Sequence, residues 1–258
     1  LPILSGDVRW ADGTLAENVW PLTVYLYRED EGGNYPSISS PTYTANASPD
    51  IDSVENSLGG KFSVTVSPGT YRLGVDMNMP GGTDVDGVRH AGFYIGSYGG
   101  YFDDSGNFVY PSVEDLSVQV TVGETTPDTV SLSLPEYVTV SGKVADENGV
   151  GIAGVSIRVE GWIRHPSLAV TPIGLGELST QTDSEGNYIF AVPAHDDWDI
   201  TLTPPEGSGL SQKTHVSQDF SVSLTAFDFQ LGALPILSGD VRWADGTLAE
   251  NVWPLTVY

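Results

Sequence analysis

The 258-residue sequence contains no cysteine, and only ten of its residues are lysine or arginine. The lack of cysteine excludes disulfide bonds, thiolate metal sites and cysteine nucleophiles. The 34 aspartates and glutamates give a net charge of −24, which repels nucleic acid and anionic lipid, so we expect neither as a partner. The sequence also has no apolar run of about 18 residues, so we expect no membrane-spanning segment.

Residues 1–25 recur letter for letter as residues 234–258, which lie 233 positions later. This identity predicts a tandem array with a period of 233 residues, in which residues 234–258 begin the next copy. The sequence has no signal peptide and does not start with methionine, so we expect it to be a segment of a longer protein.

Apolar and polar residues alternate along most of the chain, which is typical of strands with one buried and one exposed face. Along residues 22–27, leucine and valine alternate with threonine and tyrosine, which predicts that Tyr25 and Tyr27 lie on the exposed face. Short turn sequences such as Asp12-Gly13 and Gly59-Gly60 separate these segments. The sequence therefore predicts an all-β fold.

A weaker repeat lies inside the period. Residues 4–8 (Leu-Ser-Gly-Asp-Val) match residues 140–144 (Val-Ser-Gly-Lys-Val), and residues 60–66 match residues 186–192. We predict two related domains in each period: a long one at 1–134, with insertions at 28–58 and 78–112, and a short one at 135–233. Pro135 lies in the very short junction between them, which predicts a stiff joint rather than a flexible tether.

These motifs resemble a known family. The Ser-Gly-x-Val openings at 5–8 and 141–144, residues 154–159 (Gly-Val-Ser-Ile-Arg-Val) and residues 182–188 (Thr-Asp-Ser-Glu-Gly-Asn-Tyr) resemble carboxypeptidase regulatory-like and B-type collagen-adhesin-like domains. The resemblance implies tandem Ig-like, transthyretin-like β-sandwiches of about seven strands, two per 233-residue period. It also implies a place in the stalks and fibres of bacterial or archaeal surface proteins, and modules that are not catalytic.

The distribution of histidines gives no support for an enzyme. The four histidines are scattered, and no serine or threonine nucleophile stands in a recognisable motif beside His195-Asp196-Asp197, the one compact cluster of titratable groups. We therefore expect no catalytic residues and no required cofactor.

Calcium is the metal that the acidic turns favour. Oxygen ligands are concentrated in two glycine-containing turns, and hard cations need several such ligands. The candidate calcium ligands are Asp103, Asp104, Asp183, Glu185 and Asn187. The alternative is that these residues only stabilise the backbone of hairpin turns.

Residues 92–102 are dense in aromatic rings and glycine. Tyr94, Tyr98 and Tyr101 have the chemistry to stack on a surface glycan. They are equally suited to packing as a lid over the sandwich or as an interface with the next unit, and the sequence leaves these alternatives open.

Residues 234–258 hold the first strands of a domain and nothing that completes it, and such a fragment is not stable alone. We expect its apolar residues to be covered by an identical neighbouring unit, either in a continuous polymer or by strand donation between subunits. These residues are Leu237, Val241, Leu255 and Val257.

The duplication leads to a functional hypothesis. It predicts an extracellular filament or a giant cell-surface adhesin, in which identical stacked β-sandwiches form a stiff homopolymer. The alternative is a carbohydrate- or ligand-binding stalk module.

Overall fold

The computed structural model describes residues 1–17, 19, 22–47, 59–77, 81–93, 101–102, 105, 108–109, 112–116, 118–125, 129–163, 173–234 and 242. Within these residues, regular structure consists of strands and one 3-10 turn, Val113–Asp115, and there is no α-helix. The strands are arranged in sheets that face each other across hydrophobic cores. The predicted all-β sandwich fold is confirmed.

Eighteen strands follow one another along the chain. They are β1 (Ile3–Arg9), β2 (Thr23–Arg28), β3 (Tyr43–Asn46), β4 (Lys61–Thr65), β5 (Gly69–Asp76), β6 (Thr83–Val85), β7 (Val88–His90), β8 (Tyr101–Phe102), β9 (Phe108–Val109), β10 (Val118–Val122), β11 (Val130–Ser133), β12 (Tyr137–Ala145), β13 (Ser156–Ile163), β14 (Ile173–Gln181), β15 (Asn187–Pro193), β16 (His195–Thr203), β17 (Lys213–Phe220) and β18 (Phe229–Gln230).

The first sandwich has a sheet of order β11-β1-β4 and a sheet of order β10-β5-β2-β3. Strand β1 is central in its sheet, parallel to β11 and antiparallel to β4. The alternating residues of β1 and β2 meet between the sheets, where Leu4, Val8, Val24 and Leu26 are fully buried. Burial of each such side chain stabilises the fold by about 1.5–3 kcal/mol.

The second sandwich repeats this topology. Its sheets have the orders β18-β12-β15 and β14-β13-β16-β17, with β12 parallel to β18 and antiparallel to β15. Its separate core contains the fully buried aromatic residues Phe190, Trp198 and Phe220. Two hydrophobic cores of one topology therefore follow each other along the chain.

The shared Ser-Gly-x-Val motif has a packing reason. A Cβ atom at Gly6 would lie 2.3 Å from the carbonyl oxygen of Val130, and one at Gly142 would lie 2.2 Å from that of Phe227. Both distances are too short for any side chain. Each motif glycine therefore lets the last segment of its own sandwich approach the first strand.

The outer face of the β2–β5 sheet is not exposed as predicted. Tyr27 is fully buried, and its hydroxyl donates a hydrogen bond of 2.6 Å to the carbonyl oxygen of Ile38. Arg72 on β5 donates from Nη1 to the carbonyl oxygen of Leu116 at 2.7 Å. The expectation of an exposed Tyr27 was wrong because residues following β2 and residues 112–116 cover this face.

Candidate functional site

The junction between the two sandwiches contains almost no free linker. The backbone N–H of Leu134 donates to the carbonyl oxygen of Arg9 (2.8 Å) in the first sandwich. The carbonyl oxygen of Glu136 accepts from the N–H of Ala194 (3.0 Å) in the second. Only Pro135 lies between these two anchors, and its ring fixes one backbone dihedral angle.

Three aromatic rings from separate parts of the chain meet at this junction. Trp10 follows β1, His90 ends β7 and Tyr137 begins β12; their ring centroids are 5.3–5.6 Å apart. The Tyr137 hydroxyl donates to the carbonyl oxygen of Ala91 at 2.7 Å, which fixes the ring. Burial lowers the pKa of His90, so this ring is uncharged at neutral pH. The cluster therefore joins the two sandwiches through apolar contacts.

A hairpin from the long predicted insertion extends the sheet of the second sandwich. Strand β7 pairs in parallel with β15, and β6 pairs with β7, giving the full order β18-β12-β15-β7-β6. The N–H of Ala91 donates to the carbonyl oxygen of Ala191 at 2.8 Å, and the N–H of Gly92 donates to that of Glu177 at 3.1 Å. The sheet of one sandwich is thus completed by residues that lie in sequence inside the other.

Two glycines make room for this hairpin. A Cβ atom at Gly176 would lie 1.8 Å from the carbonyl oxygen of Gly92. One at Gly82, where φ is +79°, would lie 2.4 Å from the carbonyl oxygen of His90. The sequence reasoning missed the docking of the hairpin and the part of His90 in the aromatic cluster. The Asp86-Gly87 pair, with φ values of 51° and 82°, was the available signal for a two-residue hairpin turn.

The predicted calcium ligands of the second sandwich form a hydrogen-bonded turn. Oδ1 of Asp183 accepts from the backbone N–H groups of Glu185 (2.9 Å) and Asn187 (2.8 Å), and Asn187 Nδ2 donates to Asp183 Oδ2 (3.2 Å). These bonds, chiefly that from the Asn187 backbone, lower the pKa of Asp183. Asp146 makes the same backbone contacts in its own turn, to Asn148 and Val150. This geometry favours the turn-stabilising alternative.

Replacing Asp183 with alanine is expected to lower the melting temperature by roughly 2–4 °C, equally in calcium and in EGTA, because turn hydrogen bonds are lost. Asp146→Ala is the matched control, since it removes the same bonds from a turn with no predicted metal. Calcium binding would instead be established if EGTA lowered the melting temperature of the wild type but left that of the Asp183→Ala variant unchanged. Thermal melts followed by circular dichroism distinguish the two results.

The docked hairpin brings two acidic turns into one groove. A cavity of about 460 Å³ lies between Asp84 and Arg89 on the hairpin and Gln181, Asp183 and Asn187 on the second sandwich. Among the described residues, no three histidines, aspartates or glutamates come together in a way that could hold a metal ion. The predicted calcium ligands Asp103 and Asp104 lie outside the described residues.

The described residues do not include most of the predicted ligand and interface side chains. Tyr94 and Tyr98 lie outside them, and Tyr101 is placed only as part of β8. The four predicted interface residues, Leu237, Val241, Leu255 and Val257, also lie outside. Their identical counterparts in the first copy are fully buried in its core: Leu4, Val8, Leu22 and Val24.

A buried acid marks the outer face of the first sandwich. Asp76 at the end of β5 is 4% exposed, and its Oδ1 atom has no hydrogen-bond partner. Burial raises the pKa of Asp76 to about 6, although a hydrogen bond with Tyr25 opposes the shift. Burial, with the nearby Asp76 charge, raises the pKa of Tyr25 to about 12. Sequence alternation alone gives no signal for this pair.

No protein-family model matches the sequence, and no curated protein matches it. The shaft pilin SpaA of Lactobacillus rhamnosus GG is a solved structure that is similar, with a TM-score of 0.39 and 8% identity over 92% of this chain and 100% of the pilin. The minor pilin of Streptococcus agalactiae gives a TM-score of 0.34 and 12% identity over 94% of this chain and 100% of that chain.

An enzyme structure also matches part of the chain. The 3-chlorocatechol 1,2-dioxygenase of Rhodococcus opacus gives a TM-score of 0.30 and 13% identity over 39% of this chain, which spans 62% of the dioxygenase. All of these TM-scores lie below 0.5. The part of the chain that the structure describes contains no helix long and apolar enough to cross a membrane.

Proposed function

We propose that the chain is a structural, non-catalytic repeat of an extracellular filament or giant cell-surface adhesin, in which stacked β-sandwiches form a stiff rod. The observation that carries this proposal is the strand addition at the junction, where β7 continues the sheet of the second sandwich through β15. A backbone-paired strand resists bending more than a tether does, because bending must break its backbone hydrogen bonds. The aromatic cluster and Pro135 support the same function.

The sequence duplication predicts a similarly short junction between one unit and the next. Within the second sandwich, the N–H of Leu234 donates to the carbonyl oxygen of Gly209 at 2.8 Å. Within the first, the carbonyl oxygen of Pro2 accepts from the N–H of Val66 at 3.1 Å. Pro235 repeats Pro2, so the sequence counterpart of the Pro2 anchor directly follows Leu234. We infer that a tandem array of identical units has no free linker at this joint either.

Electron microscopy of the native material tests the proposal. Antibodies raised against this chain are expected to label filaments on the cell surface at a constant axial interval, one for each period of two sandwiches. Labelling confined to the cell interior, or to isolated globular particles, would contradict the proposal.

Small-angle scattering tests the stiffness of the junction within the same proposal. Gly82→Ala is expected to loosen the hairpin and widen the distribution of inter-sandwich distances, because the new Cβ clashes with the His90 carbonyl. Gly87→Ala is the control: its φ of +82° is similar, but nothing lies within 4 Å of the added Cβ atom. Equal scattering curves for both variants would show that the hairpin does not stiffen the junction.

A further inference from the structure

The aromatic junction opens into two cavities that share Trp10. A cavity of about 510 Å³ is lined by Trp10, Ala11, Asp12, Pro135, Glu136 and Tyr137. A second cavity of about 320 Å³ includes Trp10, Glu17 and Asp86 in its lining. The larger volume lies within the range of ligand-binding clefts. Because residues from both sandwiches form its walls, this cavity exists only at the junction.

The chemistry around the larger cavity, which we call the joint groove, is aromatic and acidic. Asp12 and Glu136 are both exposed, on opposite sides of the junction. Oδ1 of Asp12 accepts hydrogen bonds from Thr14 Oγ1 (2.6 Å) and the Thr14 N–H (2.9 Å), and the first of these is the main cause of its lowered pKa. Oδ1 is therefore held in place while the carboxylate keeps its charge at neutral pH.

Positive charge of the protein itself is kept out of the joint groove. No lysine or arginine is among the described residues that line it. Arg9, the nearest basic residue in sequence, is paired with Asp7 at 2.7 Å and donates from Nη1 to the Gly13 carbonyl oxygen. His90 behind the Trp10 ring is uncharged at neutral pH, because burial lowers its pKa. The two carboxylates therefore face an aromatic wall without a cation of their own.

We propose that the joint groove binds the lysine or arginine side chains of a basic polypeptide segment. An ammonium or guanidinium group is attracted electrostatically to the face of an indole ring. The alkyl stem of either side chain suits the apolar surface of Trp10, Pro135 and Tyr137. Asp12 and Glu136 supply the opposite charges.

A second copy of this chain is a poor occupant. Its net charge of −24, with only ten lysines and arginines, opposes close lateral association of two copies. A basic segment of another protein meets the opposite situation, because the same field draws it towards the groove. This binding function is independent of the filament proposal, since a single chain contains the whole groove.

Titration with an acetylated hexalysine peptide tests the inference. The titration is followed by NMR. The indole N–H resonance of Trp10, assigned by its absence from the spectrum of Trp10→Phe, is expected to shift when the peptide binds to the wild-type chain. The double variant Asp12→Asn with Glu136→Gln is expected to raise the dissociation constant about fivefold, because two exposed ion pairs to the peptide are lost. Asparagine at position 12 can still accept the Thr14 hydrogen bonds, so the turn is retained.

The matched control is Asp219→Asn with Glu147→Gln, which changes the net charge by the same amount. Oδ1 of Asp219 accepts from Ser221 Oγ (2.6 Å) and the Ser221 N–H (2.9 Å), as Asp12 does from Thr14. The control is expected to bind hexalysine as the wild type does. Equal weakening in both double variants, or no shift of the Trp10 resonance at any peptide concentration, would overturn the proposal, and neither result would bear on filament formation.

Discussion

Replacing Gly142 with alanine is expected to lower the free energy of unfolding by about 3 kcal/mol or more. The new methyl group would lie 2.2 Å from the carbonyl oxygen of Phe227, so the last segment of the second sandwich must move away from β12. Overpacking of this kind costs about 1–3 kcal/mol, and each lost backbone hydrogen bond adds about 0.5–1.5 kcal/mol. The bonds at risk include those from the Phe227 N–H to the carbonyl oxygen of Ser141 (3.0 Å) and from the Leu224 N–H to that of Thr139 (2.9 Å).

Urea denaturation measures this effect, with Gly174→Ala as the control. Gly174 lies in β14, and a Cβ atom there would have nothing within 4 Å, so its replacement is expected to change stability by less than about 0.5 kcal/mol. Similar unfolding curves for the two variants would contradict the close approach of the Phe227 carbonyl group to Gly142. Gly6→Ala is expected to act on the first sandwich as Gly142→Ala acts on the second.

Replacing Asp76 with asparagine is expected to stabilise the protein above pH 6 and to lose this advantage in acid. The folded-state pKa of Asp76 is raised to about 6, from 3.8, so the folded state holds the proton more tightly than the unfolded state does. The wild type therefore has its full stability below the unfolded-state pKa of 3.8 and loses stability as pH rises through the folded-state pKa of about 6. The difference in pKa corresponds to about 3 kcal/mol.

The measurement is the free energy of unfolding of both proteins between pH 4 and 7.5. The advantage of Asp76→Asn is expected to grow by about 2.4 kcal/mol across this interval, which begins just above the unfolded-state pKa, whatever constant difference the amide itself introduces. Asp219→Asn is the control, because hydrogen bonds from Ser221 lower the pKa of this exposed carboxyl and place its titration below the interval. If the free energies of unfolding of the wild type and Asp76→Asn differed by the same amount at every pH in this interval, the raised pKa of Asp76 would be contradicted.

The sequence predicted the sandwiches well because their signals are local. Alternation along β1 and β2 identifies the residues that enter the core, and the two Ser-Gly-x-Val motifs mark the same position in both topologies. Gly6 and Gly142 could be recognised as equivalent without knowing which carbonyl group each one accommodates.

The junction was less predictable because its contacts are distant in sequence. The Asp86-Gly87 pair indicates a hairpin, but the pairing of β7 with β15 depends on the space left by Gly82 and Gly176. The burial of Tyr27 likewise depends on where the residues around Ile38 come to lie. Local pattern identifies such segments as insertions and contains no information about the surface that each one covers.

The parallel pairing of the first and last strands has a consequence for a chain under tension. In the first sandwich β1 runs beside β11 in the same direction, from Gly6 opposite Val130 to Arg9 opposite Ser133, and β12 pairs with β18 in the same way. The chain therefore enters each sandwich at one end and leaves at the other. Pulling on the two ends slides the terminal strands past each other, which loads their hydrogen bonds together in shear instead of peeling them apart one at a time.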